Sequence, residues 1–213
     1  MRNVFRIGGF ISAAVLIAFG IAAIVMGVNG RSTVQNSLKQ ENIVGTPDMT
    51  PALIRAEATK AGLPSTLSYP TVSVAGQTID TGSKARAFAS YMRIHALEAS
   101  GGLTYSQLPR YATKDSKGTN DPAKAVQVNG RPVDNPVRNV WVTETALSTA
   151  LNTSYMAESL SLFGIVVGIA LLLSGLGFGI LAAGGALRGV EDGFGFFGKR
   201  ATQKVVPRPV PTV

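Results

Sequence analysis

A chain of 213 residues that is 46% hydrophobic, only 15% charged and of positive mean hydropathy is too apolar for an ordinary soluble domain and too polar to lie wholly in lipid. Its net charge of +8 does not point to nucleic acid, because no basic stripe interleaved with stacking aromatics accompanies it. With one histidine and no cysteine, one subunit cannot build a Cys/His zinc site, a catalytic zinc site of several histidines, or the two-histidine, one-carboxylate iron site of ring-opening dioxygenases.

Residues 1–6 read as a short N-tail carrying Arg2 and Arg6. From Ile7 to Val28 there is no Asp, Glu, Lys or Arg, and the run exceeds the ~20 residues a helix needs to cross the ~30 Å hydrocarbon layer, so 7–29 is a first transmembrane helix. A secretory signal peptide also begins with a basic tail before an apolar run. Its apolar region spans roughly 7–15 residues before a small-x-small cleavage site, whereas this run is longer and leaves through "VMGVNG", so an uncleaved signal-anchor is expected. At about 100° per residue, Gly9, Ala13, Gly20 and Gly27 fall on one face of that helix.

Residues 30–159 are long enough for a modest core, and their pattern predicts a small, mostly helical domain with a minor β-ribbon. In "STVQNSLKQENI", Val34, Leu38 and Ile43 offer a weak apolar face that extends the first helix, interrupted at its root by Asn29–Gly30. Thr50 as N-cap, Pro51 at the first helical position and Gly62 beyond the end frame a short helix. A longer one over 82–99 presents Ala85, Phe88, Ala89, Met92, Ala96 and Ala99 as its buried stripe and stops at Gly101–Gly102. "TVSVAGQTI" has the makeup of a short strand, and "AVQVNGRPV" carries an Asn-Gly turn between two more, the second weakened by Pro132. "YATKDSKGTNDPAKA" reads as an exposed loop.

One helix is then expected from about Thr143 to about Leu187, roughly 45 residues, running without a break into a second transmembrane helix over 160–187. Trp141 sits just ahead of it and Tyr155 on its ectodomain part; both are candidate partner contacts, Trp141 alternatively a core anchor. His95, on the 82–99 helix, has three readings: a packed imidazole with partner contacts, a general base beside Glu98 or Tyr91, or a pH sensor. In the second span Gly164, Gly168, Gly175 and Gly179 line one face together with Ala182 and Ala186. In lipid, helices associate through close backbone contact rather than hydrophobic drive, and small-residue stripes permit it. Two such stripes predict an antiparallel hairpin within the chain, a self-association seam, or a docking face for a larger complex.

After the second span, 188–213 forms a basic, Pro-rich tail with Arg188, Lys199, Arg200, Lys204 and Arg208. Phe194, Phe196 and Phe197 beside Lys199 and Arg200 have the composition of a lipid-interface segment, rings at the headgroup boundary and cations toward anionic lipid. By the positive-inside rule both termini are cytoplasmic and the central domain is extracytoplasmic.

The segments "ENIVGTPDMTP", "YMRIHALEASGGLTYSQLPR" and "NVWVTETALSTALNTSYMAESLSLFGIVVGIALLLSGLGFG" resemble a group of actinobacterial two-span membrane proteins, to which a role as an aromatic-ring-opening dioxygenase subunit is often attributed. The resemblance implies a bacterial inner membrane and this topology. With a single histidine, such a role would require a catalytic partner chain. The residues favour a non-catalytic accessory or scaffold subunit of a membrane or envelope complex, with no cofactor and no metal site, whose partners are other integral membrane proteins or itself. The alternative is a membrane-anchored module that binds or senses a ligand or lipid.

Overall fold

The computed structural model describes residues 4–184, which are mostly helical. In chain order they form α1 (Val4–Gln40), α2 (Pro51–Lys60), α3 (Gly82–Ala99), a 3-10 turn (Pro122–Lys124), β1 (Gln127–Val128), β2 (Arg131–Pro132) and α4 (Val137–Ala183). Two compact units divide them: the described residues up to Ala22 with those from Val167, and Ala23–Val166. α1 and α4 are long and apolar enough to cross a membrane, and each contributes to both units.

In the first unit, side chains turned outward are large and apolar: Phe5, Ile11, Phe19, Leu173 and Ile180 are all exposed. The buried positions are small, Gly9, Ala13 and Gly20 on α1 and Gly168, Gly175 and Ala182 on α4. This is inverted relative to a soluble helix pair. Ser174 turns its hydroxyl back to the Ala170 carbonyl (2.8 Å), so its donor is satisfied within its own helix.

The second unit has a conventional core. α2 begins as its sequence predicts: the Thr50 hydroxyl accepts the Leu53 N–H at 3.2 Å, Pro51 follows, and Gly62 beyond the helix has φ +73°. Thr81 caps α3 by accepting from Lys84 N–H. Ile54 and Ala58 of α2 and Ala85, Phe88, Ala89, Tyr91, Ile94, Ala96 and Leu97 of α3 join Leu38, Val74, Ile79, Trp141 and Leu151 in one cluster. Tyr91 is fully buried and its hydroxyl donates to the Val72 carbonyl (3.0 Å); burial raises its pKa. β1 and β2 form the hairpin expected of Asn129–Gly130, both with positive φ, with Gln127 opposite Pro132.

Four sequence expectations need correction. The described residues of α1 already include Val4–Arg6 of the expected N-tail, and the helix runs through Asn29–Gly30 unbroken, with Gly30 lying against the Ser161 hydroxyl. The buried stripe of α3 includes Tyr91, Ile94 and Leu97 and omits Ala99, which is exposed, while Met92 is half-buried; α3 is covered on more than one side, so a single stripe underestimates its core. "TVSVAGQTI" is no strand: Gly76 turns the chain at φ +67°, leaving isolated bridges from Gly45 to Ala75 and from Val44 to Thr78. α4 begins at Val137, six residues before Thr143, since the Asn135 side chain accepts the Val137 N–H (3.1 Å) and opens the helix there. Trp141 is therefore inside α4.

Replacing Ile54, which has no exposed surface, with alanine is expected to destabilise the second unit by about 2–5 kcal/mol. Trp141, the sole tryptophan and buried there, reports that loss as an earlier shift of its emission in a denaturant titration.

Candidate functional site

The small-residue faces are places of close approach between α1 and α4. In the first unit a Cβ added at Gly20 would lie 2.8 Å from the Gly168 carbonyl oxygen and 2.8 Å from the Leu172 nitrogen. One added at Gly175 would meet Ile17 Cγ1 at 2.8 Å and the Ala13 carbonyl at 3.0 Å. Gly179 lies in ordinary contact with Ala13, 3.7 Å between Cβ positions, and Gly9 is buried. In the second unit, a Cβ at Gly27 would meet the Ser161 carbonyl at 2.6 Å and Ile165 Cγ1 at 2.7 Å, and one at Gly164 would sit 3.8 Å from the Ala23 carbonyl. Gly20, Gly27 and Gly175 are thus positions where backbone meets backbone and no side chain fits.

A polar junction follows in the second unit. Glu158 of α4 accepts from Arg31 Nε (3.0 Å) and Gln35 Nε2 (2.8 Å) of α1, and from the Gly82 N–H that opens α3. A carboxylate at a helix N-terminus also opposes the positive end of its dipole. Gly82 is required at this point, since a Cβ there would lie 2.7 Å from Tyr155 Cα. Burial alone would raise the Glu158 pKa; the hydrogen bonds from Arg31, Gly82 and Gln35 outweigh it and hold the carboxyl below its ordinary value. Sequence reasoning missed this junction, although Arg31 and Glu158, the first charges met on the central side of each apolar run, were visible.

The remaining candidates are placed individually. Trp141 is 3% exposed; its indole N–H donates to the Leu103 carbonyl (2.9 Å) and Arg93 lies over its ring at 5.5 Å. Its surface is used inside the unit, as a core anchor. Tyr155 is half-buried under the Arg86 guanidinium, 4.7 Å from the ring centroid. His95 is half-buried, with Nε2 3.0 Å from Asp48 Oδ2 and Nδ1 3.2 Å from Glu98 Oε2; Tyr91 is hydrogen-bonded elsewhere.

Glu144, which no motif singled out, is a buried carboxylate on α4 that accepts from the Ser148 hydroxyl at 2.7 Å. It lines two open grooves between α3 and α4. One, of about 520 Å³, carries Ser90, Arg93, Ser148 and Asn152; the other, of about 490 Å³, carries Met92, His95, Val140 and Thr143. The lipid-interface candidates Phe194, Phe196, Phe197, Lys199 and Arg200 lie outside the described residues.

The seam predicts opposite outcomes two residues apart. Gly175→Ala should cost about 1–3 kcal/mol of stability in detergent through overpacking, whereas Gly177→Ala, with nothing within 4 Å of its Cβ, should be neutral or stabilise by up to about 1 kcal/mol. Thermal unfolding of both variants checks this. For Glu158, a lowered folded pKa means its contribution is fully present above the ordinary carboxylate value of 4.5 and is lost as pH falls below it through the folded value. Glu158→Gln should cost about 1–3 kcal/mol at neutral pH and flatten the acid limb of the stability profile, followed by Trp141 emission.

Comparison with protein-family models, with curated proteins and with solved structures finds no match to this chain, so a functional reading rests on its own residues.

Proposed function

We propose that the chain is a two-span protein of a bacterial inner membrane, with α1 and α4 as an antiparallel hairpin, both termini cytoplasmic and residues 30–159 extracytoplasmic, acting as a non-catalytic accessory or scaffold subunit of a membrane or envelope complex. The observation that carries this reading is the backbone approach at Gly20 and Gly175. It uses the small faces of the two helices inside one chain and turns Phe19, Leu173 and Ile180 outward, a surface suited to lipid or to another integral membrane protein. The order of contacts, Ala13 with Gly175 and Gly179, then Gly20 with Gly168 and Leu172, supports the antiparallel arrangement.

The absence of Asp, Glu, Lys and Arg from Ile7–Val28 and Leu160–Leu187 argues against a conduction path, which ionisable groups usually mark. In the second unit both grooves beside Glu144 are open, and the one flanked by hydroxyls, Arg93 and Asn152 is a surface for a protein partner more than an enclosure for a small apolar ligand. The tail beyond 188 supplies cations for anionic headgroups on the cytoplasmic side.

Gentle detergent extraction of the tagged chain and mass spectrometry of what accompanies it tests the scaffold role: stoichiometric membrane or envelope proteins are expected, and a monodisperse monomer alone contradicts it. Topology is separately testable, because the chain has no native cysteine. Ser116→Cys should react with an impermeant maleimide in intact cells, and Ala201→Cys only after permeabilisation; the reverse pattern overturns the orientation.

A further inference from the structure

We propose that Asp48, Glu57 and His95 form a binding site for a divalent transition-metal cation of the zinc class. The three residues come from three separate pieces of the second unit, yet one ligand atom of each lies within 4.8 Å of the others. Asp48 is set by a turn in which the Met49 N–H donates to the Thr46 carbonyl (3.0 Å), with Met49 buried behind it. Glu57 stands one turn after the buried Ile54 on α2, and His95 lies between the buried Ile94 and Ala96 on α3. The core fixes the backbone under all three, while the carboxylate of the exposed Glu57 keeps the freedom to close on an ion.

The imidazole geometry carries the argument. His95 Nδ1 faces Glu98 Oε2 at 3.2 Å and Nε2 faces Asp48 Oδ2 at 3.0 Å. A neutral imidazole has one N–H. When Nδ1–H is given to Glu98, Nε2 is left without a proton 3.0 Å from an Asp48 carboxylate oxygen, two potential ligand atoms side by side. A cation bonded to both atoms satisfies them, as a second proton on the ring also would, and a 3.0 Å separation suits two metal bonds of about 2.0–2.2 Å meeting at roughly a right angle.

Glu98 supplies a second, independent observation. Metal-bound histidines characteristically give their other N–H to a carboxylate, which fixes the tautomer and raises ligand basicity, and Glu98 occupies that place one turn along α3. Its other oxygen, Oε1, is buried without a hydrogen-bond partner among the described residues, so a negative group stands beside the ring, offset there by positive charge at His95 or on an ion held there. One imidazole with two carboxylates selects zinc-like cations over magnesium or calcium, which prefer all-oxygen sets. Three protein ligands leave a coordination position for water. Bound metal would clasp the 46–49 turn, α2 and α3 together.

The chain is well suited to the test, since it has no second histidine and no cysteine to bind zinc elsewhere. The full-length protein, purified in detergent with a histidine-free tag and stripped with a chelator, is titrated with Zn²⁺ and separately with Mg²⁺ by calorimetry. One Zn²⁺ per chain is expected, with no saturable Mg²⁺ binding. His95→Ala should abolish zinc binding, Glu57→Gln should weaken it at least tenfold without touching the core, and Glu98→Gln should weaken it by about 10–100-fold through the ring. Trp141 emission establishes that each variant is folded. Absence of saturable zinc binding in the unmodified chain, or unchanged affinity in folded His95→Ala or Glu57→Gln protein, overturns the proposal.

Discussion

Helices surrounded by apolar solvent gain nothing from burying leucine against leucine, so what holds them together has to come from contact close enough to bring backbones within van der Waals range. On the membrane reading proposed above, the rest of this structure depends on that constraint. It explains why the least helix-favouring residue recurs in the two most apolar helices, and why the side chains facing outward are the large ones. At Gly20 the two nearest atoms are main-chain oxygen and nitrogen, and at Gly175 a main-chain oxygen and nitrogen stand beside Ile17 Cγ1; main chain cannot move aside, so the requirement for glycine there is steric and not merely compositional.

The second unit is held together by different means. Its core is made of α2 and α3 over Leu38, Trp141 and Leu151, and the hydrophobic effect does the work that close packing does in the apolar helices. Three polar groups buried by this arrangement are answered, Tyr91 by Val72, Trp141 by Leu103 and Glu144 by Ser148, while Glu98 Oε1 is left without a partner among the described residues. Glu158 gathers donors from α1 and α3 on a single carboxylate, and its cost of desolvation is offset because three hydrogen bonds converge on it.

Local signals in the sequence were sufficient where the physics is local. Thr50 with Pro51 and Asn129–Gly130 each specify their own backbone within a few residues, and each feature stands where those residues place it. The helical arithmetic that aligned Gly9, Ala13, Gly20 and Gly27 likewise selected positions that are all buried. What a single sequence does not carry is long-range pairing. Nothing in the composition of "NTSYMAESL" indicates that Glu158 meets Arg31, 127 positions earlier, or that Gly82 is needed for the approach of Tyr155. His95 was weighed with Glu98, its neighbour one turn away, but Asp48 and Glu57 reach it only because α2 folds against α3. The end of "TVSVAGQTI" as a strand has the same origin: alternation favoured extension, and a turn at Gly76 overruled it.

The central claim is that the apolar helices are clasped to each other within one chain, and the Ala13–Gly179 contact gives direct access to it. The 3.7 Å between their Cβ positions matches the spacing across a disulfide, and the chain has no cysteine of its own. Cysteines placed at these two positions and oxidised in native membranes should form an intramolecular bond, seen as a faster-migrating monomer on non-reducing gels that reverts with reductant. Cross-linking into dimers alone, or no cross-link while the protein remains folded, would contradict the account.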